Sequence, residues 1–349
     1  MEIIHKEIYW LDELCKDYND VVGKKCANLG ELVGIGLRVP YGFALSVKAY
    51  ETFMEETGLK EKVAQIVEKA TKAGLDLEKD IDKMIEMSAK IREAIEASDM
   101  PPGIGGEIAK YYAELQKKVG IPDVACAVRS SGAVSMPGQM ETYLNIRGEA
   151  EILGHVKKVW ASAFTTRAIV FRLQNNMPMS WAPIGIAVIM MIEAKSAGVI
   201  LTVLPTVGDL DRAIVEGNFG LGESVVSGEI TPDSFVINKN DMCIESKSIA
   251  EKTKMVGYAD CGTGVMDVPD NLKNCSCLED EEILEIVRIA KEVEHHFGNP
   301  QDMEWVVDKR FAFPENIFWV QARGAKYTKK EAGKDEAYVI DLMLQLFRS

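Results

Sequence analysis

The sequence predicts an α+β fold, because helical and strand-like patterns occupy different parts of the chain. Apolar residues recur at three- and four-residue steps between residues 60 and 98, and residues 149–176 also follow a helical pattern. After residue 184, short apolar runs are separated by turn residues, which is typical of a sheet. Helices and strands that are grouped in this way are characteristic of α+β proteins.

The predicted N-terminal lobe covers residues 1–180 and begins with a short strand, a glycine-bearing turn and a helix. After the turn sequence RVPYGF, the helical pattern of residues 60–98 is interrupted at Gly74, and a further helix follows the sequence MPPGIGG. The run VACAVRSSG predicts a buried strand that continues into a loop of small residues, and METYLNI predicts a second strand. We therefore expect a lobe that carries both a helical insert and a small-residue loop.

The predicted C-terminal lobe covers residues 181–328, with the boundary placed in the proline-bearing segment 178–183. Its strands are predicted from an apolar run at 184–192 and from GVILTVL, AIVEGNF and SFVIN. An amphipathic helix is predicted over residues 281–297, after which DMEWVVD and IFWVQAR are expected to pair as a hairpin. Residues 329–349 form a separate tail in this division.

The composition is that of an ordinary globular protein with an acidic balance. The 349 residues are 47% hydrophobic and 27% charged, and 40 Lys+Arg against 54 Asp+Glu give a net charge of −14. Nucleic acid and anionic membranes are disfavoured as main partners, because both require a basic face. No apolar run approaches the ~20 residues that span a bilayer. The seven cysteines are odd in number and scattered, which suits a reducing cytosol, so we expect a cytoplasmic protein.

Four polar side chains of the predicted hairpin are expected to share one face. Asp302 and Glu304 are two residues apart, as are Gln321 and Arg323 on the returning strand, so each pair points to one side of its strand. Carboxylate and amide oxygens suit Mg²⁺, which would bridge phosphate groups that an arginine also binds. Spacing alone supports equally well a solvated polar face, since any half-buried hairpin alternates in this way.

A second candidate site is the loop at residues 128–140, VRSSGAVSMPGQM. Its small residues would let backbone N–H groups approach phosphate oxygens closely, and the guanidinium group of Arg129 would bind the same oxygens. Lys24 and Lys25 precede a predicted helix start, from which a lysine can reach phosphates. From spacing alone, a plain surface loop and solvated lysines are slightly favoured. The familiar motifs GxxxxGK[ST], HExxH and GxSxG are absent.

Taken together, these motifs resemble the N-terminal ATP-binding domain of the phosphoenolpyruvate synthase/pyruvate phosphate dikinase family. GKKCANLGEL resembles the Gly-Gly-Lys-Asn-Ala-Ser-Leu-Gly-Glu segment that opens this domain, and RVPYGFAL matches its Val-Pro-x-Gly-Phe segment. VRSSGAVSMPGQMETYLNI resembles the phosphate loop without a gap, and VWASAFTTRAI, GLGESVVSG, TPDSF and QDMEW…VQAR follow in the family's order. The resemblance extends from about residue 22 to residue 328, and the ordered set is far more specific than any single motif.

The resemblance implies an ATP-grasp-like fold, in which two lobes enclose a nucleotide cleft, with ATP and Mg²⁺ as ligands. It implies that three basic residues hold the triphosphate and act in catalysis, namely Lys25, Arg129 and Arg323. It also implies that Glu304 and Gln321 ligate Mg²⁺ and that Asp302 supports the same site.

On the adenine side, the resemblance places the base at the backbone of three consecutive residues, namely Met191, Ile192 and Glu193. It places Glu223, from GLGE, at the lining of the cleft. The sequence departs from the family in two places. Gly23-Lys24 stands where the family has two glycines, and Ile189-Met190-Met191 stands where it has Gln-Lys/Arg-Met.

The function implied is that of an ATP-binding subunit, which transfers a phosphoryl or pyrophosphoryl group from Mg-ATP to a histidine on a separate partner subunit. Full-length family members continue into a phosphohistidine domain and a barrel, whereas this sequence ends after VQARGAKYT and a short tail. The split layout resembles phenylphosphate synthase, in which phenol is the final acceptor. The alternatives are the ATP-binding half of a split phosphoenolpyruvate synthase and a nucleotide-sensing module that performs no transfer.

Overall fold

The computed structural model of the protein describes residues 5–72, 80–133, 141–223, 225, 228, 230–260 and 262–328. Gly74, the second half of the small-residue loop and the tail that follows residue 328 lie outside these ranges. The chain divides into two compact units. The first contains Met1–Ile192 and Tyr258–Gly264, and the second contains Glu193–Gly257 and Val265–Ser349.

The first unit contains a five-stranded sheet in which every pairing is antiparallel. Its strands are β1 (Ile8–Trp10), β2 (Gly42–Leu45), β3 (Cys126–Ser131), β4 (Thr142–Ile146) and β5 (Gly185–Met190). Their order across the sheet is β1-β2-β5-β3-β4. The helices of this unit are α1 (Asn19–Val22), α2 (Lys24–Gly34), α3 (Val47–Glu56), α4 (Leu59–Lys72), α5 (Ile81–Ala97), α6 (Pro102–Val119), α7 (Glu149–Ser162) and α8 (Thr166–Gln174).

The boundary between the units follows Ile192 and does not lie at 180/181, where the sequence analysis placed it. The reason is β5, which was expected to open the C-terminal sheet. It pairs instead with β2 and β3 at the centre of the first sheet, and all six of its residues are buried. An apolar run predicts a buried strand but carries no information about which sheet that strand joins.

Among its described residues, the second unit contains a six-stranded antiparallel sheet and a long helix. Its strands are β6 (Ala194–Leu201), β7 (Arg212–Phe219), β8 (Asp233–Asn238), β9 (Cys243–Ser248), β12 (Gln301–Asp308) and β13 (Ile317–Gly324), arranged in the order β13-β12-β6-β7-β8-β9. A separate two-stranded sheet consists of β10 (Lys254–Tyr258) and β11 (Thr263–Asp267). The helix α9 (Asp280–Phe297), close to the predicted bounds, ends at Gly298 in the left-handed conformation.

The two faces of the six-stranded sheet differ in burial. One face carries fully buried side chains, among them Met303 and Trp305, and packs with the apolar stripe of α9. Trp305 lies over Gly198 and Gly217, where a Cβ atom would come within 2.7 Å and 2.6 Å of its ring. Glycine is therefore required there to accommodate the indole. We call the opposite face of the four central strands the open face, because its side chains are half-exposed: Val199, Leu201, Ile214, Glu216, Ser234, Val236, Asp302 and Glu304.

Candidate functional site

The first unit brings the start of α2 against the end of β3. Gly23 has φ 79° and ψ 160°, and a Cβ atom at this position would lie 1.9 Å from the carbonyl oxygen of Ser131. The Lys24 N–H donates to the carbonyl of Gly132 at 3.0 Å, and the Cys26 N–H donates to Ser131 Oγ at 3.1 Å. Only glycine permits this approach, so the turn before α2 is tied directly to the strand that carries Arg129.

Lys25 and Arg129 are brought to the same end of this unit. Burial raises the pKa of the Cys26 thiol to about 11, while a hydrogen bond with Ser131 and the positive charges of Lys25 and Arg129 oppose that shift. Both cations therefore lie within electrostatic reach of one buried sulfur. Residues 134–140, the second half of the predicted phosphate loop, fall outside the described residues.

The second unit brings the four hairpin residues together, as their spacing predicted. Asp302 lies opposite Arg323, and Glu304 lies opposite Gln321. Arg323 donates to Asp302 Oδ2 through Nε at 2.8 Å, and its Nη2 lies 2.7 Å from the same oxygen. Directly opposed residues have Cβ atoms about 5 Å apart. A carboxylate and an amide oxygen can therefore bind one Mg²⁺ between them, with water and phosphate oxygens completing its shell.

The backbone expected to meet adenine is held by hydrogen bonds on several sides. The Met191 N–H donates to the carbonyl of Ala125 at 2.8 Å, and the Ile192 carbonyl accepts from the Tyr258 hydroxyl at 2.8 Å. The Glu193 carbonyl accepts from the Lys309 N–H at 3.0 Å, and the two side chains form an ion pair at 3.3 Å. Met191 and Ile192 are thus anchored within the first unit, and Glu193 is anchored within the second.

Sequence reasoning missed the part of this support that comes from Asn145. Its φ is 56°, its N–H donates to Met191 Sδ, and its amide nitrogen donates to the carbonyls of Ala259 and Gly262 at 2.9 and 2.8 Å. The partners lie 46, 114 and 117 residues away along the chain, so no local pattern indicates them. Tyr258 was missed for the same reason.

Glu223 is exposed and follows a tight turn at the end of β7. The Gly220 N–H donates to the Lys195 carbonyl at 3.1 Å, and a Cβ atom on Gly222 would lie 3.4 Å from the Cβ of Ala197. The turn therefore lies close to the first half of β6, and Glu223 follows it directly.

Glu216 is a further residue that sequence reasoning missed. It is half-exposed on the open face, and burial raises the pKa of its carboxyl group. One signal was available, because a single acidic residue interrupts the apolar run AIVEGNF. The alternation of burial along β7 is needed to see that it shares a face with Glu304.

Comparison with known proteins shows which family contains both Lys25 with Arg129 and the hairpin residues in its matched region. The sequence model of the family described as "Pyruvate phosphate dikinase, AMP/ATP-binding domain" matches residues 19–341. The chain belongs to this family. The match to the pyruvate phosphate dikinase AMP/ATP-binding domain includes both groups, Lys25 with Arg129 and the hairpin residues.

Relatives of this dikinase domain are named as phosphoenolpyruvate synthases. A "Probable phosphoenolpyruvate synthase" of Staphylothermus marinus is 37% identical over 90% of this chain and 41% of its own length. One of Methanocaldococcus jannaschii is 38% identical over 95% of this chain and 27% of its own length. The "Phosphoenolpyruvate synthase" of Aeropyrum pernix is 34% identical over 95% of this chain and 43% of its own length. The chain thus spans less than half the length of these relatives.

In the described part of the chain, no helix has the length and the apolar character that crossing a membrane requires.

Proposed function

We propose that this chain binds Mg-ATP and acts as the nucleotide-binding part of a dikinase-type phosphotransferase. The observation that carries the proposal is the register of the hairpin, which sets Asp302 opposite Arg323 and Glu304 opposite Gln321. A solvated hairpin has no need of this combination, whereas Mg-triphosphate needs oxygen ligands for the metal and a guanidinium for the phosphates. Family membership supports the same assignment.

In this proposal Lys25, Arg129 and Arg323 bind the triphosphate and stabilise the charge that develops on the transferred group. Asp302 holds the Arg323 guanidinium in position through their ion pair. Glu304 and Gln321 would hold Mg²⁺, whose positive charge would offset that of the phosphates. The fold would be ATP-grasp-like, with the base at Met191–Glu193 and Glu223 at the lining of the nucleotide site.

The reaction we propose follows the resemblance to synthase-type members of the family. The bond between the α- and β-phosphates of ATP breaks, and the pyrophosphoryl group passes to a histidine nitrogen of a partner subunit while AMP leaves. Water then accepts the terminal phosphate, which leaves phosphohistidine and inorganic phosphate. The final acceptor would be phenol, as in phenylphosphate synthase, or pyruvate in a split phosphoenolpyruvate synthase; the names of the relatives favour the latter.

The direct test is substitution of Arg323, with Arg212 as its control. Both arginines lie on the six-stranded sheet, form ion pairs with acidic residues and have similar exposure, 41% and 39% of the side chain. Arg323→Ala should abolish transfer while adenine binding, measured with AMP, stays close to that of the native chain. Arg212→Ala should change neither. Transfer at the native rate by Arg323→Ala would refute the phosphate assignment.

The alternative, a sensor that binds ATP without transfer, requires a different experiment. The chain is incubated with ATP labelled at the β-phosphate, together with candidate subunits that carry a reactive histidine. Label on a partner histidine, lost when that histidine is replaced, supports the transferase. ATP binding without label on any candidate would favour the sensor.

A further inference from the structure

Glu216 lies on the open face two strands away from the proposed metal ligand Glu304. Glu304 is opposite Val199 on β6, and Val199 is opposite Glu216 on β7. Opposed residues point to the same face, and neighbouring strands are about 4.8 Å apart. The backbones of the two glutamates are therefore about 10 Å apart along a direct line across the sheet.

The direct cross-strand neighbours of Glu216 on the open face are one aliphatic residue, Val199 on β6, and one hydroxyl residue, Ser234 on β8. Two further aliphatic residues, Ile214 and Val236, lie on the same face of β7 and β8. Within the described residues, no hydrogen bond or ion pair engages the Glu216 carboxylate, and desolvation is what raises its pKa. A carboxylate that is partly removed from water and left without a donor is costly, so its partner is expected to arrive with a ligand.

We propose that Glu216 binds the ribose hydroxyl groups of the nucleotide and makes the site selective for ribonucleotides; this inference rests on the proposed ATP function. A carboxylate has two oxygens that only accept hydrogen bonds, which matches the two neighbouring hydroxyl donors of a ribose. Acidic side chains serve this purpose in dinucleotide-binding folds. With phosphates at Glu304 and Gln321, the phosphate chain and sugar would extend across Val199 towards Glu216.

A second Mg²⁺ is the other ligand that a carboxylate at this position suggests, and the surroundings disfavour it. Mg²⁺ keeps several water molecules and is bound by few carboxylates. Val199, Ile214 and Val236 offer no groups to those waters, and Ser234 offers a single hydroxyl. The face of a sugar ring, in contrast, packs favourably on Val199 and Ile214 while its hydroxyls reach the carboxylate.

The test compares the affinities of the chain for Mg-ATP, Mg-2′-deoxy-ATP and Mg-3′-deoxy-ATP, measured by calorimetry. The native chain should bind ATP about 10-fold or more tightly than either deoxy analogue, since each lost hydroxyl removes a hydrogen bond to a charged group. Glu216→Gln should reduce the ratio of the affinity for ATP to that for each deoxy analogue, and Glu216→Ala should bring this ratio close to one. Affinity for the deoxy analogues should change much less than affinity for ATP.

Glu245→Gln is the matched control, because Glu245 lies on the same sheet but is paired with Arg212 at an exposed position. It should retain the native preference. Far-ultraviolet circular dichroism verifies that each variant is folded. An unchanged preference in both Glu216 variants would overturn the inference while leaving ATP binding intact, as would a change in Mg²⁺ dependence alone. Failure of the native chain to bind any of the nucleotides would overturn the proposed function and the inference with it.

Discussion

Substitution of Gly23 by alanine tests whether the contact between α2 and β3 assembles the basic part of the site. The backbone of Gly23, at φ 79° and ψ 160°, is in a region that is essentially restricted to glycine. The new methyl group would also lie 1.9 Å from the Ser131 carbonyl oxygen, which belongs to a strand backbone and cannot turn aside as a flexible side chain would. The start of α2 must therefore move away from β3.

Two costs add in this variant. The unfavourable backbone conformation costs about 1–3 kcal/mol, and steric overlap in a packed region costs about 1–3 kcal/mol. We expect a loss of about 2–6 kcal/mol in the free energy of unfolding of the first unit. Because the hydrogen bonds of Lys24 and Cys26 to β3 would break, Lys25 would shift relative to Arg129 and ATP affinity would fall.

Gly36→Ala is the matched control, since Gly36 also has a positive φ, 87°, but nothing lies within 4 Å of its virtual Cβ. Gly36→Ala should lower the free energy of unfolding only by the contribution of the unfavourable backbone conformation, about 1–3 kcal/mol, and it should keep the native affinity for ATP. Urea unfolding followed by far-ultraviolet circular dichroism reports mainly on the first unit, because that unit contains helices α1–α8 whereas α9 lies in the second. Equal losses of stability in the two variants, or native ATP affinity in Gly23→Ala, would refute the reasoning.

Three further predictions concern the second unit. Glu304→Ala should raise the Mg²⁺ concentration needed for half-maximal ATP binding by at least about 10-fold, measured by titration; an unchanged requirement would remove Glu304 from the metal site. Lys252→Met should lower the free energy of unfolding, measured in urea, by about 3–5 kcal/mol. The reason is that it leaves the Asp233 carboxylate, which is fully buried and 2.6 Å from Lys252 Nζ, without its cation. Lys254→Met, which breaks an exposed pair with Asp267, should cause no measurable change, and equal effects of the two would contradict the argument. Glu216→Gln should stabilise the ligand-free chain at neutral pH but not below the ordinary glutamate pKa. Because the pKa of Glu216 is raised in the folded state, the native chain loses stability as the pH rises above the ordinary glutamate pKa, and the glutamine variant does not. Urea unfolding of both chains at a pH below that pKa and at neutral pH tests this, and the same stability difference at both pH values would refute it.

The hairpin was predictable because its information is local. A two-residue repeat fixes which side chains share a face of a strand, and a short connection brings the two strands into one pair. The structure confirms the consequence at Asp302–Arg323 and Glu304–Gln321. What spacing leaves open is function, because a solvated hairpin alternates in the same way; membership of the family supports the nucleotide-binding role that we propose for it.

The departures from prediction share a physical cause, which is that they depend on pairing between distant segments. β5 is apolar along its whole length, and its membership of the first sheet depends on β2 and β3, which no property of residues 184–192 specifies. The support from Asn145 and Tyr258 is non-local in the same sense. At the turn before α2, the sequence alone does not tell which glycine of the family's pair is indispensable. The structure assigns that role to Gly23, because Lys24 already has helical conformation as the first residue of α2 and an L-residue fits there.

The open face of the second unit lowers the stability of the free chain, and this loss of stability indicates that the face binds a ligand. Its aliphatic residues, Val199, Ile214 and Val236, remain half-exposed, whereas covering them would stabilise the unit by about 25 cal/mol for each Å² removed from water. Glu216 adds a carboxylate that is partly desolvated and, among the described residues, unpaired. Both features reduce stability in the free chain, and both become favourable once a ligand contributes an apolar surface and hydroxyl donors. A sheet face kept in this condition, beside the hairpin that we propose binds metal and phosphate, is therefore better explained by nucleotide binding than by stability. If Glu216→Gln stabilised the free chain and also retained the full preference for ribonucleotides, Glu216 would indeed lower the stability of the free chain, but ribose binding would not be the reason for its presence.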